Sequence, residues 1–120
     1  MNDSILKETK DALGINEEDA AFDSELMMHI NSALSILYQI GAGQPISVKN
    51  KDTKWEKFFE GTVLNQNEYI LGQAKLFIFL KTKILFDPPP PSSVEYVNEA
   101  AAELLWRIRE MCEFEEKKEA

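Results

Sequence analysis

Apolar residues recur at spacings of three and four along most of the chain, the period of amphipathic helices. The first such segment, residues 4–13, predicts a short helix, which Asp3 or Ser4 can cap. Gly14 follows it and supplies the left-handed conformation that commonly ends a helix. The chain therefore opens with a brief helix and a glycine stop.

A second helix is predicted from Asp19 or Asp23, either of which can cap it, to about Ile40. Residues at helical spacing predict its buried face, and these are Leu26, Ile30, Ala33, Leu34 and Leu37. Met27 and Ile36 widen the apolar surface beyond what one amphipathic helix needs. A second contact, within the subunit or across an interface, is expected there.

The segment from Gly41 to Thr53 contains glycine, proline and a short apolar-polar alternation, which predicts a projecting loop with an extended stretch. Thr53 can cap a brief third helix that Gly61 ends. The aromatic residues of this helix, which should anchor the loop to the core, are Trp55, Phe58 and Phe59.

A long central helix is predicted from Asn65 or Asn67 to about Phe86, apolar over much of its circumference. Gly72 lies inside it, and an internal glycine costs about 1 kcal/mol relative to alanine. A close helix crossing at Gly72 would explain why the glycine is there.

The run from Asp87 to Pro91 cannot be helical, because each proline lacks an amide donor and restricts the residue before it. Ser92 or Ser93 then predicts the start of a last amphipathic helix. Its apolar stripe consists of Val94, Val97, Ala101, Leu104, Leu105, Ile108 and Cys112. Residues 113–120 are polar and are expected to fray.

These elements predict an all-α fold: a small bundle of four to five helices with a long central helix and a projecting inter-helix loop. A length of 120 residues suits one domain, residues 1–120. The single cysteine, Cys112, rules out an intrachain disulfide and favours a reducing compartment such as the cytosol.

The charge balance argues against nucleic-acid binding as the main function. Thirteen basic and 21 acidic residues give a net charge of −8, the wrong sign for a protein whose main task is neutralising phosphates. The first twenty residues show no secretory signal and no apolar run approaches the length of a membrane span, so we expect neither a secreted nor a membrane protein.

Candidate chemistry is sparse. Glu25 and His29 stand one helical turn apart, but zinc needs at least three protein ligands and the chain has no second histidine. The lone histidine also removes the usual nucleophile-histidine arrangements, and no phosphate-binding glycine loop occurs. We therefore expect no catalytic residues, no cofactor, no bound metal and no enzymatic activity.

The densest cationic segment interleaves lysines with the aromatic residues of the third helix, and the lysines are Lys49, Lys51, Lys54 and Lys57. Such a mixture can track a nucleic-acid backbone and stack on bases. The interpretation favoured by the acidic total is that the aromatic residues face the core and the lysines keep the loop soluble.

Several pieces, taken in order, resemble the small head-tail connector proteins of tailed bacteriophages. They are "LGI", "FDSELMMHINSAL", "LYQIGAG", "KWEKFF" and "KTKILFDPPPPSSVEYVNEAAAELLWRIRE". The similarity extends from Leu13 to Glu110, and its specificity lies in the order of the pieces, since none alone is diagnostic.

The resemblance implies a structural subunit of the virion, made in the host cytoplasm, that forms a ring of about twelve copies under the portal protein. Such a ring extends the channel, lets DNA pass without sequence recognition and docks the next head-completion or tail protein. Exposure and composition suggest oligomer or partner contacts at Lys49, Lys51, Lys54, Met27, Ile36, Arg107 and Arg109. The C-terminal helix would be available to the portal.

Two other functions stay open at this point. The main alternative is a small cytosolic helical adaptor or regulator that acts as a dimer and binds one protein partner. The other is a DNA-binding module that uses the segment from Lys49 to Phe59.

Overall fold

The computed structural model describes residues 4–62 and 67–119, with the backbone alone for 116–119. The described residues form five helices and no strand, which confirms the all-α prediction. The helices are α1 (Ile5–Ala12), α2 (Asp23–Gln39), α3 (Trp55–Phe59), α4 (Glu68–Phe86) and α5 (Pro91–Glu119).

α1 begins and ends as predicted. Ser4 is the N-cap, and its hydroxyl accepts a hydrogen bond from the Lys7 amide at 3.3 Å; the other candidate cap, Asp3, lies outside the described residues. Gly14 has a φ of 76°, and the amide of Ile15 donates to the carbonyl of Lys10 at 2.9 Å. This bond satisfies a carbonyl that the helix end would otherwise leave unpaired.

α2 ends in the same way at Gly41, but the predicted aspartate cap at its start is wrong. Phe22 occupies the N-cap position with no side-chain hydrogen bond. Asp23 instead turns to α1, where its carboxylate lies 2.8 Å from the ammonium group of Lys10. A long-range ion pair has replaced the local cap.

The predicted Thr53 cap of α3 is also wrong, since Lys54 is the N-cap and makes no side-chain cap bond. The backbone at this point is used in tertiary structure: the Thr53 carbonyl accepts from the Ile5 amide at 3.1 Å, and Ser4 and Lys54 form an isolated antiparallel bridge. α3 is therefore fixed to the start of α1.

Asn67 caps α4 as predicted, accepting from the amides of Tyr69 and Ile70 at 3.0 and 3.3 Å; the other candidate, Asn65, lies outside the described residues. Gly72 contradicts our expectation of a close helix crossing. It is exposed, and a Cβ built on it would meet nothing within 4 Å.

α5 starts at Pro91, so neither Ser92 nor Ser93 is its first cap, and the prediction that the whole run from Asp87 to Pro91 is non-helical is wrong at Pro91. Proline is well suited to the first helical position, because the amide it lacks has no partner there and its φ already fits a helix. The helical backbone continues to Glu119. The fraying of 113–120 stays a prediction.

α4 is the central element and packs against α2 on one side and α5 on the other. The five predicted core residues of α2 are all buried. They join one cluster with residues of the other helices, including Ile5, Phe58, Ile70, Phe77 and Ile108. None of the described helices combines the length and apolarity needed to cross a membrane.

Candidate interaction surfaces

The described residues contain no group of three or more histidine, cysteine, aspartate or glutamate side chains placed to hold a metal ion. His29 Nε2 lies 3.6 Å from a Glu25 carboxylate oxygen, the one-turn pair expected from the sequence. Two groups at this spacing are too few ligands for zinc.

The aromatic residues of α3 face the interior. Trp55 is stacked on Phe59 with ring centroids 5.9 Å apart, and Phe58 meets Phe59 edge to face at 5.0 Å. All three are at most 4 % exposed. They cannot stack on bases, which confirms the interpretation that they anchor the segment to the core.

A polar contact fixes α3 more firmly. The indole N–H of Trp55 donates to a Glu8 carboxylate oxygen at 2.7 Å, and Lys75 lies 3.4 Å from the same carboxylate. The ammonium group of Lys75 also stands 5.1 Å from the centre of the indole ring, within the range of a cation-π contact. Side chains from α1, α3 and α4 thus meet at one point.

The loop between α2 and α3 is fastened at both ends. The Asn31 side chain accepts from the Val48 amide at 2.7 Å and donates to the Val48 carbonyl at 3.1 Å. The Gln44 amide donates to the Phe58 carbonyl at 2.7 Å. The loop therefore presents its polar residues from a defined backbone.

These contacts shape an open groove, called the lysine groove below. Its lining residues are Pro45, Ile46, Ser47, Lys49, Asn50, Asp52, Thr53, Lys54 and Lys57. Lys49, Lys54 and Lys57 are exposed, and within the described part of the chain none of them forms an ion pair. Pro45 and Ile46 give the groove an apolar wall. Lys51 lies elsewhere, in a depression with Lys7, Glu17, Glu18 and Asp23.

A second surface lies on the side of α5 opposite its buried residues Ala101, Ile108 and Cys112. Trp106 is 54 % exposed there. Glu99 and Glu113 lie seven residues to either side of it and Glu110 lies four residues after it, spacings that return to one helix face. These four residues are called the α5 outer face below.

The other predicted contact residues are scattered. Met27 and Ile36 are half-buried and pack against the core, which accounts for their apolar character within the subunit. Arg107 is held by Glu103 at 2.9 Å and lines a shallow groove between α4 and α5, while Arg109 is exposed. Their role in oligomer or partner contacts stays a prediction.

Trp106 was not among the contact residues predicted from the sequence. It lies two positions before the buried Ile108, an angular offset of roughly 200° on a helix, so the periodicity that identified the stripe also placed Trp106 opposite it. The helical position of Trp106, opposite the apolar stripe, was the signal in the sequence that could have identified it as exposed. Tyr96 and Phe114, 80 % and 65 % exposed, were missed for the same reason.

A family model described as phage connector protein matches residues 5–115, nearly the whole chain. No curated protein and no solved structure matches the chain.

Proposed function

Because the chain belongs to the phage connector protein family, we propose that it is a head-tail connector subunit whose copies form a ring under the portal. The ring would extend the DNA channel and dock the stopper or tail protein that follows. Family membership itself gives a more general role than this proposal: a structural component of the virion that assembles with other phage head or tail proteins. The family is structural rather than catalytic.

The observation that carries the proposal is the exposure of α5. This helix has 29 residues, and at ~1.5 Å per residue it spans about 43 Å, close to the longest dimension of the molecule, 46 Å. It packs mainly on α4. Three aromatic side chains, Tyr96, Trp106 and Phe114, are at least half exposed along it. Large aromatic residues in such positions are typical of protein interfaces.

Charge supports a channel component better than a DNA-binding module. The described aromatic residues of α3 are buried and the chain carries a net charge of −8. An acidic lining repels the phosphate backbone and lets DNA slide without sticking. The alternative of a DNA-binding module loses its stacking residues.

The proposal is tested by measuring the molecular mass of the purified protein by sedimentation or light scattering. The protein is measured first alone and then mixed with a portal assembly. A ring of about twelve 13.7 kDa chains, roughly 160 kDa, or a monomer that joins the portal stoichiometrically, is the expected result. A fixed dimer indifferent to the portal would contradict the proposal and favour the adaptor alternative.

A mobility-shift titration at two salt concentrations tests DNA binding separately. We expect weak binding at both. Tight binding that falls steeply with salt would show that phosphate neutralisation is a main activity.

A further inference from the structure

Two surfaces of this chain carry opposite charge, and each contains apolar residues. We propose that the lysine groove of one copy receives Trp106, with its flanking carboxylates, from the α5 outer face of the next copy, and that this contact repeats around the ring. The inference rests on the proposed function, since it names the two faces through which the ring would form.

The two surfaces carry opposite charge. Residues 91–115, the part of α5 with described side chains, hold six glutamates and two arginines, a net charge of 2 − 6 = −4. This is half of the −8 of the whole chain. Two α5 outer faces would therefore repel each other, whereas the lysine groove is lined by three lysines against one aspartate, and none of the three lysines forms an ion pair among the described residues. Complementary charge selects the partner and fixes its register.

Each surface also has apolar residues beside its charged ones. Trp106 stands between Glu99, Glu110 and Glu113, and such an exposed tryptophan ringed by polar groups has the arrangement of an interface hot spot. The groove matches it with the apolar residues Pro45 and Ile46 and with the methylene stems of its lining lysines. A lysine ammonium group over the indole face adds a cation-π contact.

The two surfaces lie on different elements of the fold. The lysine groove belongs to the α2–α3 loop and α3, while the α5 outer face belongs to a helix that packs mainly on α4. Different patches that complement each other make a head-to-tail contact. Each added copy then leaves one groove and one α5 face open, until the ring closes.

A charge exchange tests the pairing directly. Variant A is K54E/K57E, which makes the groove acidic; variant B is E110K/E113K, which makes the α5 face basic. Each alone places like charges together, and we expect its assembly to weaken by more than about tenfold. An equimolar mixture lets the acidic groove of A meet the basic face of B and the basic groove of B meet the acidic face of A. The mixture should recover assembly.

Cysteine cross-linking gives an independent readout, in a C112A background. With K54C and E110C in the same chain, oxidation should give a ladder of dimers, trimers and larger species, while each single variant stops at dimers. The matched control pairs K54C with Y96C, which lies on α5 about 80° around the helix from Trp106, and should give no ladder. Circular dichroism checks that each variant folds.

The outcomes separate this inference from the proposed function. If the wild-type chain assembles, alone or on the portal, but the mixture of A and B does not recover and the K54C/E110C pair gives no more ladder than the control, the inference is wrong and the connector role stands. If the wild-type chain assembles under neither condition, both are wrong. Recovery by the mixture together with a pair-specific ladder supports the inference.

Discussion

Replacing Asp23 with alanine removes the carboxylate that neutralises a buried ammonium group. The Lys10 side chain is only 2 % exposed, and its Nζ is held by the Asp23 carboxylate at 2.8 Å and by the carbonyls of Glu17 and Asp19 at 3.0 and 2.6 Å. Removing one partner of a buried pair costs about 3–5 kcal/mol. The two carbonyls remain and Asp23 is 27 % exposed, so we expect about 2–3 kcal/mol.

Replacing Lys10 with methionine should cost less, about 1 kcal/mol. Methionine fills most of the volume of the lysine stem, no charge is left buried, and the partly exposed Asp23 can regain water. Urea unfolding followed by circular dichroism measures both variants. For a chain of this length, D23A should lower the melting temperature by roughly 8–12 °C.

A matched control is Glu103→Ala, which breaks the exposed Glu103–Arg107 pair, whose side chains are 61 % and 55 % exposed. It should change stability by less than about 0.5 kcal/mol. If K10M destabilises as much as D23A, the cost does not come from an uncompensated buried charge and the reasoning is refuted. Additivity of K10M and D23A in the double variant would refute it equally, because the two groups would then be uncoupled.

Three further changes test the packing. Gly43→Ala should destabilise the protein by about 2–4 kcal/mol in urea unfolding, because the new Cβ would overlap the buried Phe58 ring. Gly72→Ala should stabilise it by about 0.5–1 kcal/mol, because the new Cβ meets nothing within 4 Å. Equal effects of the two substitutions would contradict the crowding at Gly43 and the open space at Gly72. Trp55→Phe should cost about 2 kcal/mol by thermal melting, since Glu8 loses the indole donor; an unchanged melting temperature would contradict that role. Cys112, 1 % exposed, should react with a thiol reagent only as the protein unfolds, and rapid labelling under native conditions would place it at the surface.

The helix ends marked by glycine could be predicted because the cause is local. Gly14, Gly41 and Gly61 all have positive φ, and no distant partner is needed to explain them. The α2 core face followed from periodicity for a similar reason. A residue's phase on a helix is set by the helix itself.

The caps could be predicted only in part, because capping groups have competing uses. Ser4 and Asn67 cap as expected, but Asp23 pairs with Lys10, thirteen residues away. Thr53 contributes its backbone to a contact with Ile5 instead. Such tertiary partners are not visible in a window of neighbouring residues. Candidate caps can therefore be found in the sequence, but which of them cap a helix depends on the tertiary structure.

The interaction surfaces depend both on local sequence and on tertiary contacts. The lysines were visible in the sequence, but the groove exists because buried aromatic residues fix α3 and because Asn31 holds the loop at Val48. Lys51 has the same sequence context as Lys49 and lines a different depression. Composition alone could not separate the two.

The rigidity of both surfaces bears on how a ring could close from weak contacts. Trp106 projects from a long helix, and the groove is fixed by the Trp55–Glu8–Lys75 contact, which joins three helices. Ordering a flexible loop on binding would consume part of the interaction free energy, whereas these surfaces have that order already. Each interface then needs only modest affinity, because closing the ring joins the last two free surfaces without losing another independent copy. In the proposed ring, copies of the chain would therefore stay dispersed until a template such as the portal gathers them.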